Sequence, residues 1–376
     1  MAGKVKKALK RILIGLYYLL YAHAAFSLLF KKAHRNGVLS YISDEDYIVW
    51  KRAILRMFRG QCLQGYAGWR VLVEAFCRAN IEVIQKKEAY PAENNPIVAL
   101  CVKNDLRRLR LLVDHYRGLG VRRFAFLDNG STDGTFEWCL EQEDIDLYRC
   151  LEPYQTLVKE GWINRIVSYY GFNRWYILTD SDELLVYKGM ETHPIGDLIR
   201  YAEEHDLQRI RGLTLDTYTD GEVFSCSEDI RRDFRWIDMD SYRWVDLKAG
   251  GMVVRSMVGG PRWRLMGSDA SQSKFPLVFF SPGMVSETAH YQFPAEKVGK
   301  CPHQVGILHY KFLDGDLDEY RSRMEAKRGF RVDPYRKYFE YLDSHDGVSF
   351  MYEGSVEFTD SSVLERVQGI EPIDLG

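Results

Sequence analysis

The sequence predicts an α/β fold built around a parallel sheet. An apolar run at 97–102 is followed by a helical pattern over 106–118 and by a second predicted strand at 122–127, which is apolar from Phe124 onwards. Strand, helix and strand in this order imply a right-handed crossover, which makes the two strands parallel. A later run, 175–179, leads directly into the acidic segment 180–183, and the ends of such strands are where α/β sheets bind ligands.

Composition excludes several other classes of protein. The chain has 376 residues, of which 46% are hydrophobic and 28% are charged. These values are ordinary for a globular protein and exclude collagen, low-complexity disorder and a bundle of membrane-spanning helices. The 7 cysteines are scattered and include no Cys-x-x-Cys pair. A disulfide framework and a structural zinc site are therefore not expected, and a reducing compartment is favoured.

Charge is distributed unevenly along the chain. Residues 1–88 contain 16 basic and 6 acidic side chains, a net charge of +10, which leaves 35 basic and 47 acidic residues, or −12, for the remainder. A basic front joined to an acidic body suggests two parts that face different surroundings. Anionic lipid or another polyanion is the partner expected for the front.

The N-terminal segment 12–30 is apolar except for Gly15, His23 and Ser27. As a helix it would be about 28 Å long, just enough to match a hydrocarbon core. Basic residues flank it on both sides, so the positive-inside rule assigns no orientation. This favours a helix that lies in one leaflet. A secretory signal cleaved near Ala24, a helix buried in an oligomer or against the body, and a true span are the alternatives.

The segments around the first strand have clear boundaries. Helical spacing of apolar residues continues from 44 to 84, and residues 86–96 read as a linker. The first strand is continuously apolar, as expected of a strand buried on both faces. The helix over 106–118 ends at two stop signals, Gly118 and Gly120.

Polar residues follow the first two strands. Asn104 and Asp105 come after the first strand, and Asp128 ends the second and opens the turn-rich segment 128–135. A carboxylate at a strand end can accept hydrogen bonds from a base or a ribose hydroxyl. The same octapeptide can also be an ordinary Asx turn that caps the helix beginning at Phe136. The residues alone leave both interpretations open.

The acidic segment Asp180-Ser181-Asp182-Glu183 indicates a cation site. Three carboxylates in four residues repel one another unless a positive charge lies between them. In extended chain, positions 180 and 182 share one face, and hard oxygen ligands at that spacing suit a divalent ion that also holds phosphate. A surface turn rich in aspartate is the alternative, against which the flanking apolar runs argue.

Three motifs in a fixed order carry a resemblance to a known family. Residues 102–105, 128–135 and 178–183 resemble the pattern of glycosyltransferase family 2, in its bacterial branch with the signature VKNE, DNGSTDGT and DSDE. Later segments are similar to the same branch: 259–264, 274–278, 308–312 and 352–355. The resemblance covers roughly residues 96–370, and Asp105 stands where the family usually has glutamate.

The resemblance implies both an architecture and an activity. It implies a GT-A, Rossmann-like domain, which we place at 91–315. Residues 1–90 are not explained by the resemblance; their patterning predicts a basic N-terminal helical region, and residues 316–376 are expected to form a C-terminal appendage or lid. The implied activity is the metal-dependent, inverting transfer of a sugar from a nucleotide-sugar, such as a UDP-sugar, to a hydroxyl of a glycan or lipid-linked acceptor. We expect a cytoplasmic protein peripheral to the membrane, with Mn²⁺ or Mg²⁺ as cofactor and without a nucleic-acid partner.

The resemblance also assigns roles to individual residues. Asp128 would contact the base or ribose, Asp180 the ribose or a phosphate, and Asp182 the metal, with His309 completing the metal shell and His290 next in line. A bridging cation stabilises the charge that develops on a departing nucleoside diphosphate. The full set expected to bind the donor is Lys103, Asn104, Asp105, Asp128, Asn164, Asp180, Ser181, Arg262, Arg264, Lys274 and Lys311.

Inverting transfer also needs a base that takes the proton of the acceptor hydroxyl. Asp269 is our choice, and Asp216, Asp220 and Glu222 are rivals. Trp162 is expected to pack in the core rather than line the donor pocket.

Two other classes of function compete with glycosyl transfer. An aspartate-based phosphohydrolase would use Asp180 as nucleophile, although that class expects the motif after the first strand. A non-catalytic module that binds a nucleotide or a sugar is the other alternative.

Overall fold

The computed structural model of the chain describes residues 43–62, 69–87, 95–225, 227–249, 252–288, 290–294, 301–325 and 333–376, with scattered positions between 5 and 33. Most of the segment 12–30, with its predicted membrane contact, and most of the predicted linker lie outside these residues. Within the described ranges, we find no helix with the length and apolar character needed to cross a bilayer.

Helices and strands alternate through most of the chain. The helices are α1 (Asp44–Cys62), α2 (Trp69–Arg78), α3 (Leu106–Gly118), α4 (Thr135–Leu140), α5 (Thr156–Tyr170), α6 (Ile195–Glu204), α7 (Ile230–Asp233), α8 (Pro261–Met266), α9 (Asp316–Glu325) and α10 (Asp333–Leu342), and a 3-10 turn spans Ser361–Glu365. The strands are β1 (Glu82–Gln85), β2 (Ile97–Val102), β3 (Arg123–Asp128), β4 (Ile145–Arg149), β5 (Arg174–Leu178), β6 (Glu183–Val186), β7 (Arg209–Asp216), β8 (Trp236–Asp238), β9 (Arg243–Ala249), β10 (Met252–Val258), β11 (Ser273–Phe280), β12 (Val285–Thr288), β13 (Tyr291–Phe293), β14 (Val305–His309) and β15 (Ser355–Glu357).

A nine-stranded mixed sheet forms the centre, in the order β1-β4-β3-β2-β5-β11-β7-β14-β6. Strand β2 is parallel to β3 and β5, β3 is parallel to β4, and β7 is parallel to β14. Because β11 is antiparallel to both β5 and β7, those two strands also run the same way. Strands β2, β3, β4, β5, β7 and β14 therefore share one direction, and this confirms the predicted α/β, Rossmann-like fold.

Both faces of the sheet are covered, as expected for parallel strands. Strand β2 shows how alternate residues divide between the two sides. Val98 and Leu100 belong to the core beneath α3, with Leu112. Ala99 belongs to the core beneath α5, with Trp162. Trp162 is completely buried there, in line with its expected packing role.

The C-terminal segment shares the main core. Strand β15 pairs with β8, and Ile370 forms a bridge with His303. Leu364 is fully buried and packs closely against Gly306 of β14. A Cβ atom added to Gly306 would lie only 2.8 Å from the Leu364 Cδ2 atom. Tyr338 of α10 is 2% exposed, so it packs inside this core.

Strand β1 differs from the helical pattern expected up to residue 84. Its residues pair antiparallel with β4, with Val83 opposite Tyr148. Without β1, the outer edge of β4 would present unpaired backbone N–H and C=O groups. Hydrogen bonding to these groups stabilises residues 82–85 in the extended conformation. Tertiary hydrogen bonding therefore overrides the local helical pattern at this short segment.

Substitution Gly161→Ala is expected to destabilise the protein by about 1–3 kcal/mol, since overpacking forces a shift of backbone or side chains. A Cβ at Gly161 of α5 would lie 2.5 Å from the Leu72 carbonyl oxygen and 2.7 Å from the Ala75 Cβ, both on α2. Urea unfolding measures the effect. The control is Gly118→Ala in α3, where a Cβ has no atom within 4 Å and should be neutral or stabilising. Equal effects of the two substitutions would contradict the close α2–α5 contact.

Candidate functional site

The shared strand direction brings polar residues from distant parts of the sequence to one edge of the sheet. Strands β5, β7 and β14 end there, next to Asp180, at Asp216 and at His309 respectively. The antiparallel strands β11 and β6 begin at the same edge, with Lys274 and Glu183 in their first two residues. This edge is the position at which open α/β sheets bind ligands.

Three potential metal ligands meet at this edge. Asp182, Glu183 and His309 each offer one atom, and these atoms lie within 4.8 Å of one another. The pairing of β6 with β14 places Glu183 opposite His309. The Nε2 atom of His309 lies 3.2 Å from Asp182 Oδ2. Two carboxylates and one imidazole fit Mn²⁺ or Mg²⁺, with the nitrogen better suited to Mn²⁺.

The local charges keep Asp182 ionised, as a metal ligand must be. Burial alone would raise the pKa of Asp182, but His309, Lys311 and Arg108 lower it well below its usual range. Burial opposes a charge on His309 as well, and Asp182 and Asp216 reverse that effect and raise the pKa of the imidazole. The predicted ligands Asp182 and His309 are therefore brought together, and Glu183 joins them although its motif position had not marked it as a ligand.

A group of paired charges lies beside the three potential metal ligands. Asp180 accepts hydrogen bonds from the ammonium groups of Lys159 and Lys274, the latter at 3.5 Å, and Lys274 also pairs with Glu183. Burial would raise the pKa of Asp180, but the two lysines lower it below its usual range. Lys159 of α5 was not predicted. The adjacent charges of Lys159 and Glu160, which follow Leu157 and Val158 in a helical stretch, were the available signal.

Asp105 ties the first strand end to the acidic segment and to the C-terminal part of the chain. Its carboxylate accepts from the Ser181 hydroxyl and from Arg108, the latter at 2.8 Å. Arg108 donates to both oxygens of Asp316 at 2.7 Å and to the Tyr310 carbonyl at 3.0 Å. Burial is the main reason why the pKa of Asp105 is raised. Arg108 and Asp316 were not predicted, because nothing local marks an arginine in the first turn of a helix as a site residue.

The two loops predicted to hold the nucleoside contact each other. Asn104 Oδ1 accepts from the Thr132 backbone N–H at 2.7 Å, and Ser131 Oγ accepts from the Asn104 N–H at 3.0 Å. Asp128 is fully buried and accepts from the N–H groups of Gly130 and Ser131 at 3.0–3.2 Å. Asp128 therefore forms the Asx turn that the sequence left open, and its contact with a base or ribose stays a prediction.

Two arginines predicted as diphosphate partners are engaged elsewhere in the free chain. Arg262 donates to both oxygens of Asp216, at 2.6 and 2.8 Å, and Arg264 donates to Asp238 at 3.2 and 3.3 Å. Burial would raise the pKa of Asp216, but Arg262 and His309 lower it to about 2. The structure thus places both guanidinium groups against buried carboxylates.

The remaining predicted residues lie in different settings. Asn164 is 1% exposed and its side chain bonds both the carbonyl and the N–H of Ser286, so it joins α5 to β12. His290 lies outside the ligand cluster, with Nδ1 3.0 Å from the Ser273 carbonyl oxygen. Lys311 stacks over the Tyr320 ring at 4.7 Å. Lys103 and Asp269 are exposed.

Comparison with known proteins adds little. No family model and no curated protein matches the sequence. The chain is weakly similar to the crystal structure of HddC from Yersinia pseudotuberculosis, with 11% identity over 57% of this chain and 89% of that one, and a TM-score of 0.27. The same protein complexed with GMP-PN is 11% identical over 66% of this chain and 98% of that one, with a TM-score of 0.27. UDP-glucose pyrophosphorylase complexed with UDP-glucose is 9% identical over 65% of this chain and 99% of that one, with a TM-score of 0.27. At these TM-scores the likeness carries no argument.

Proposed function

We propose that the protein is a metal-dependent glycosyltransferase, which moves a sugar from a nucleotide-sugar to a hydroxyl of a glycan or lipid-linked acceptor. The observation that carries the proposal is the cluster of Asp182, Glu183 and His309 at the carboxyl edge of the parallel strands. The ordered motifs along the sequence support it, and a UDP-sugar is the donor that they favour.

Asp182, Glu183 and His309 would hold Mn²⁺ or Mg²⁺. When bound, such an ion supplies positive charge where the departing nucleoside diphosphate gains negative charge. The protein holds the surrounding groups in place beforehand. Lys159 and Lys274 keep Asp180 ionised and fixed at the strand end. A rigid, water-poor setting makes such electrostatic stabilisation stronger than it is in bulk water.

The catalytic base is proposed to be Asp269. It is exposed in the segment between α8 and β11, so it can meet an acceptor hydroxyl that arrives from solvent. Its rival Asp216 is 1% exposed, and its carboxylate is occupied by Arg262 and His309. Asp216 is therefore the weaker choice.

Thermal unfolding with a panel of nucleotide-sugars tests the proposal. We expect UDP-sugars to raise the melting temperature in the presence of Mn²⁺, and EDTA to remove the effect. A ligand at 100 times its Kd stabilises the folded state by about 2.7 kcal/mol. If no nucleotide-sugar changes the melting temperature with Mn²⁺ present, the proposal is wrong.

Assays of turnover then separate the competing functions. Release of UDP from the donor that binds would support transfer, whereas binding without release would favour a non-catalytic module. An aspartyl-phosphate trapped on Asp180 would favour a phosphohydrolase. The order of the strands argues against that class, because Asp180 follows β5, after three earlier strands of the parallel set.

Contact between the basic N-terminal segment and an anionic membrane stays a prediction. Among its described positions, Ile12, Leu13 and Leu16 carry exposed apolar side chains, and they follow the basic residues Lys10 and Arg11 in the sequence. Equal sedimentation with anionic liposomes before and after deletion of residues 1–35 would contradict it.

A further inference from the structure

A buried ion-pair chain extends from the metal ligands into the protein. His309 Nδ1 lies 2.7 Å from Asp216 Oδ1, and Asp216 in turn receives two hydrogen bonds from Arg262. The three side chains come from β14, β7 and α8, and their exposed fractions are 7%, 1% and 6%. Arg262 also donates to Gln272 at 3.0 Å, which fixes the far end of the chain.

The chemistry of these groups determines which nitrogen of His309 keeps its proton when the imidazole is neutral. An ionised carboxylate only accepts hydrogen bonds, so the Nδ1 atom that faces Asp216 must be the donor. In the structure as it stands, Nε2 faces the ionised carboxylate of Asp182, so it donates as well and the imidazole is charged. Loss of the Nε2 proton, with Nδ1–H still bonded to Asp216, leaves a neutral imidazole whose lone pair is on Nε2. Metal ions bind this lone pair, and a carboxylate behind the ring both orients it and raises its basicity.

We propose that Asp216, held by Arg262, is a positioning residue that presents His309 Nε2 to a divalent metal ion. This inference rests on the proposed function, because it assumes that Asp182, Glu183 and His309 bind the metal. It assigns Arg262 to the support of the metal centre rather than to the diphosphate.

Substitution Asp216→Asn tests the role of Asp216 directly. An amide has a single acceptor oxygen, which the two donors of Arg262 would attract, so its NH₂ group would face His309. Nδ1 would then have to accept, and the proton would move to Nε2, where it blocks the metal. We expect the Kd for Mn²⁺, measured by calorimetry, to rise about 10–100-fold.

The chain offers a matched control. Asp238 is fully buried and is also paired with an arginine of α8, Arg264, but its other contacts are the hydroxyl groups of Tyr218 and Ser241. Asp238→Asn should lower the stability to urea in a similar way and leave the Kd for Mn²⁺ unchanged. If Asp216→Asn yields no folded protein, Arg262→Lys, compared with Arg264→Lys, tests the same link.

A second background shows whether Asp216 acts through the histidine. In His309→Ala protein, which we expect to bind Mn²⁺ weakly, Asp216→Asn should cause no additional loss of affinity. An unchanged Kd in Asp216→Asn, or an equal loss in both backgrounds, would overturn the positioning role and leave the proposed function standing. Absence of Mn²⁺ binding by the unmodified chain would overturn both.

Discussion

Substitution Asp182→Asn is expected to lower the metal-dependent turnover of a nucleotide-sugar by at least about 100-fold. Asp182 offers a charged oxygen ligand, and its side chain is 21% exposed, so it is open to an arriving ion. Its backbone carbonyl accepts from the Tyr310 N–H at 2.8 Å, which fixes the residue beside β14. Asparagine preserves the shape of the side chain and removes the charge. Steady-state UDP release and calorimetric Mn²⁺ binding measure the two consequences.

A closely matched aspartate provides the control. Asp197 of α6 also lies 3.2 Å from a histidine, His193, and its side chain is 22% exposed. Asp197→Asn removes an equivalent charge away from the carboxyl edge of the sheet and should leave both turnover and Mn²⁺ affinity unchanged. If Asp182→Asn behaves like this control, Asp182 does not ligate the metal.

Substitution Lys274→Met is expected to destabilise the protein by about 3–5 kcal/mol, because it leaves buried negative charge without its partner. The Lys274 ammonium group pairs with Glu183, whose side chain is 3% exposed, and with Asp180. The free energy of unfolding in urea measures the loss. EDTA should be present, since a divalent ion next to Glu183 would replace the missing positive charge.

Two further variants show whether the loss of stability in Lys274→Met comes from the uncompensated buried charge. Lys188→Met removes a lysine from a surface pair with Glu365, at 2.7 Å, whose side chains are 33% and 49% exposed. Such a solvent-screened pair contributes little to stability. Glu183→Gln introduced together with Lys274→Met should recover part of the stability, since it removes the uncompensated charge. A cost of Lys274→Met no larger than that of Lys188→Met would show that Glu183 does not depend on this lysine.

Local sequence was sufficient to predict the elements that carry the first part of the site. The apolar runs at β2, β3 and β5 and the helical spacing in α3 depend on which residues are neighbours along the chain. The polar residues that follow these strands are equally visible. Since parallel strands end at one edge, Asp105, Asp128 and Asp182 could be assigned to a common edge of the sheet before any coordinates were known.

Partners of the predicted residues could not be inferred in this way. Arg262 and Arg264 have the chemistry of phosphate ligands, yet both contact buried carboxylates. Lys159 and Arg108 lie on helices. The spacing of apolar residues predicts such a helix, but it does not predict which charged side chain of the helix contacts the site. The strand that β1 forms likewise depends on the free edge of β4, which is distant in the sequence.

The sequence therefore establishes an α/β chain with acidic residues at its strand ends, because strand formation and apolar periodicity are local properties. The assembled sheet establishes which of those residues act together. Strand order places β14 between β7 and β6, and this juxtaposes His309 with Asp216 on one side and Glu183 on the other. These contacts join residues that are about a hundred positions apart in the sequence, so they form only when the chain folds. The physical reason is that a buried charged group is stable only beside a partner, and that partner need not be near it in the sequence.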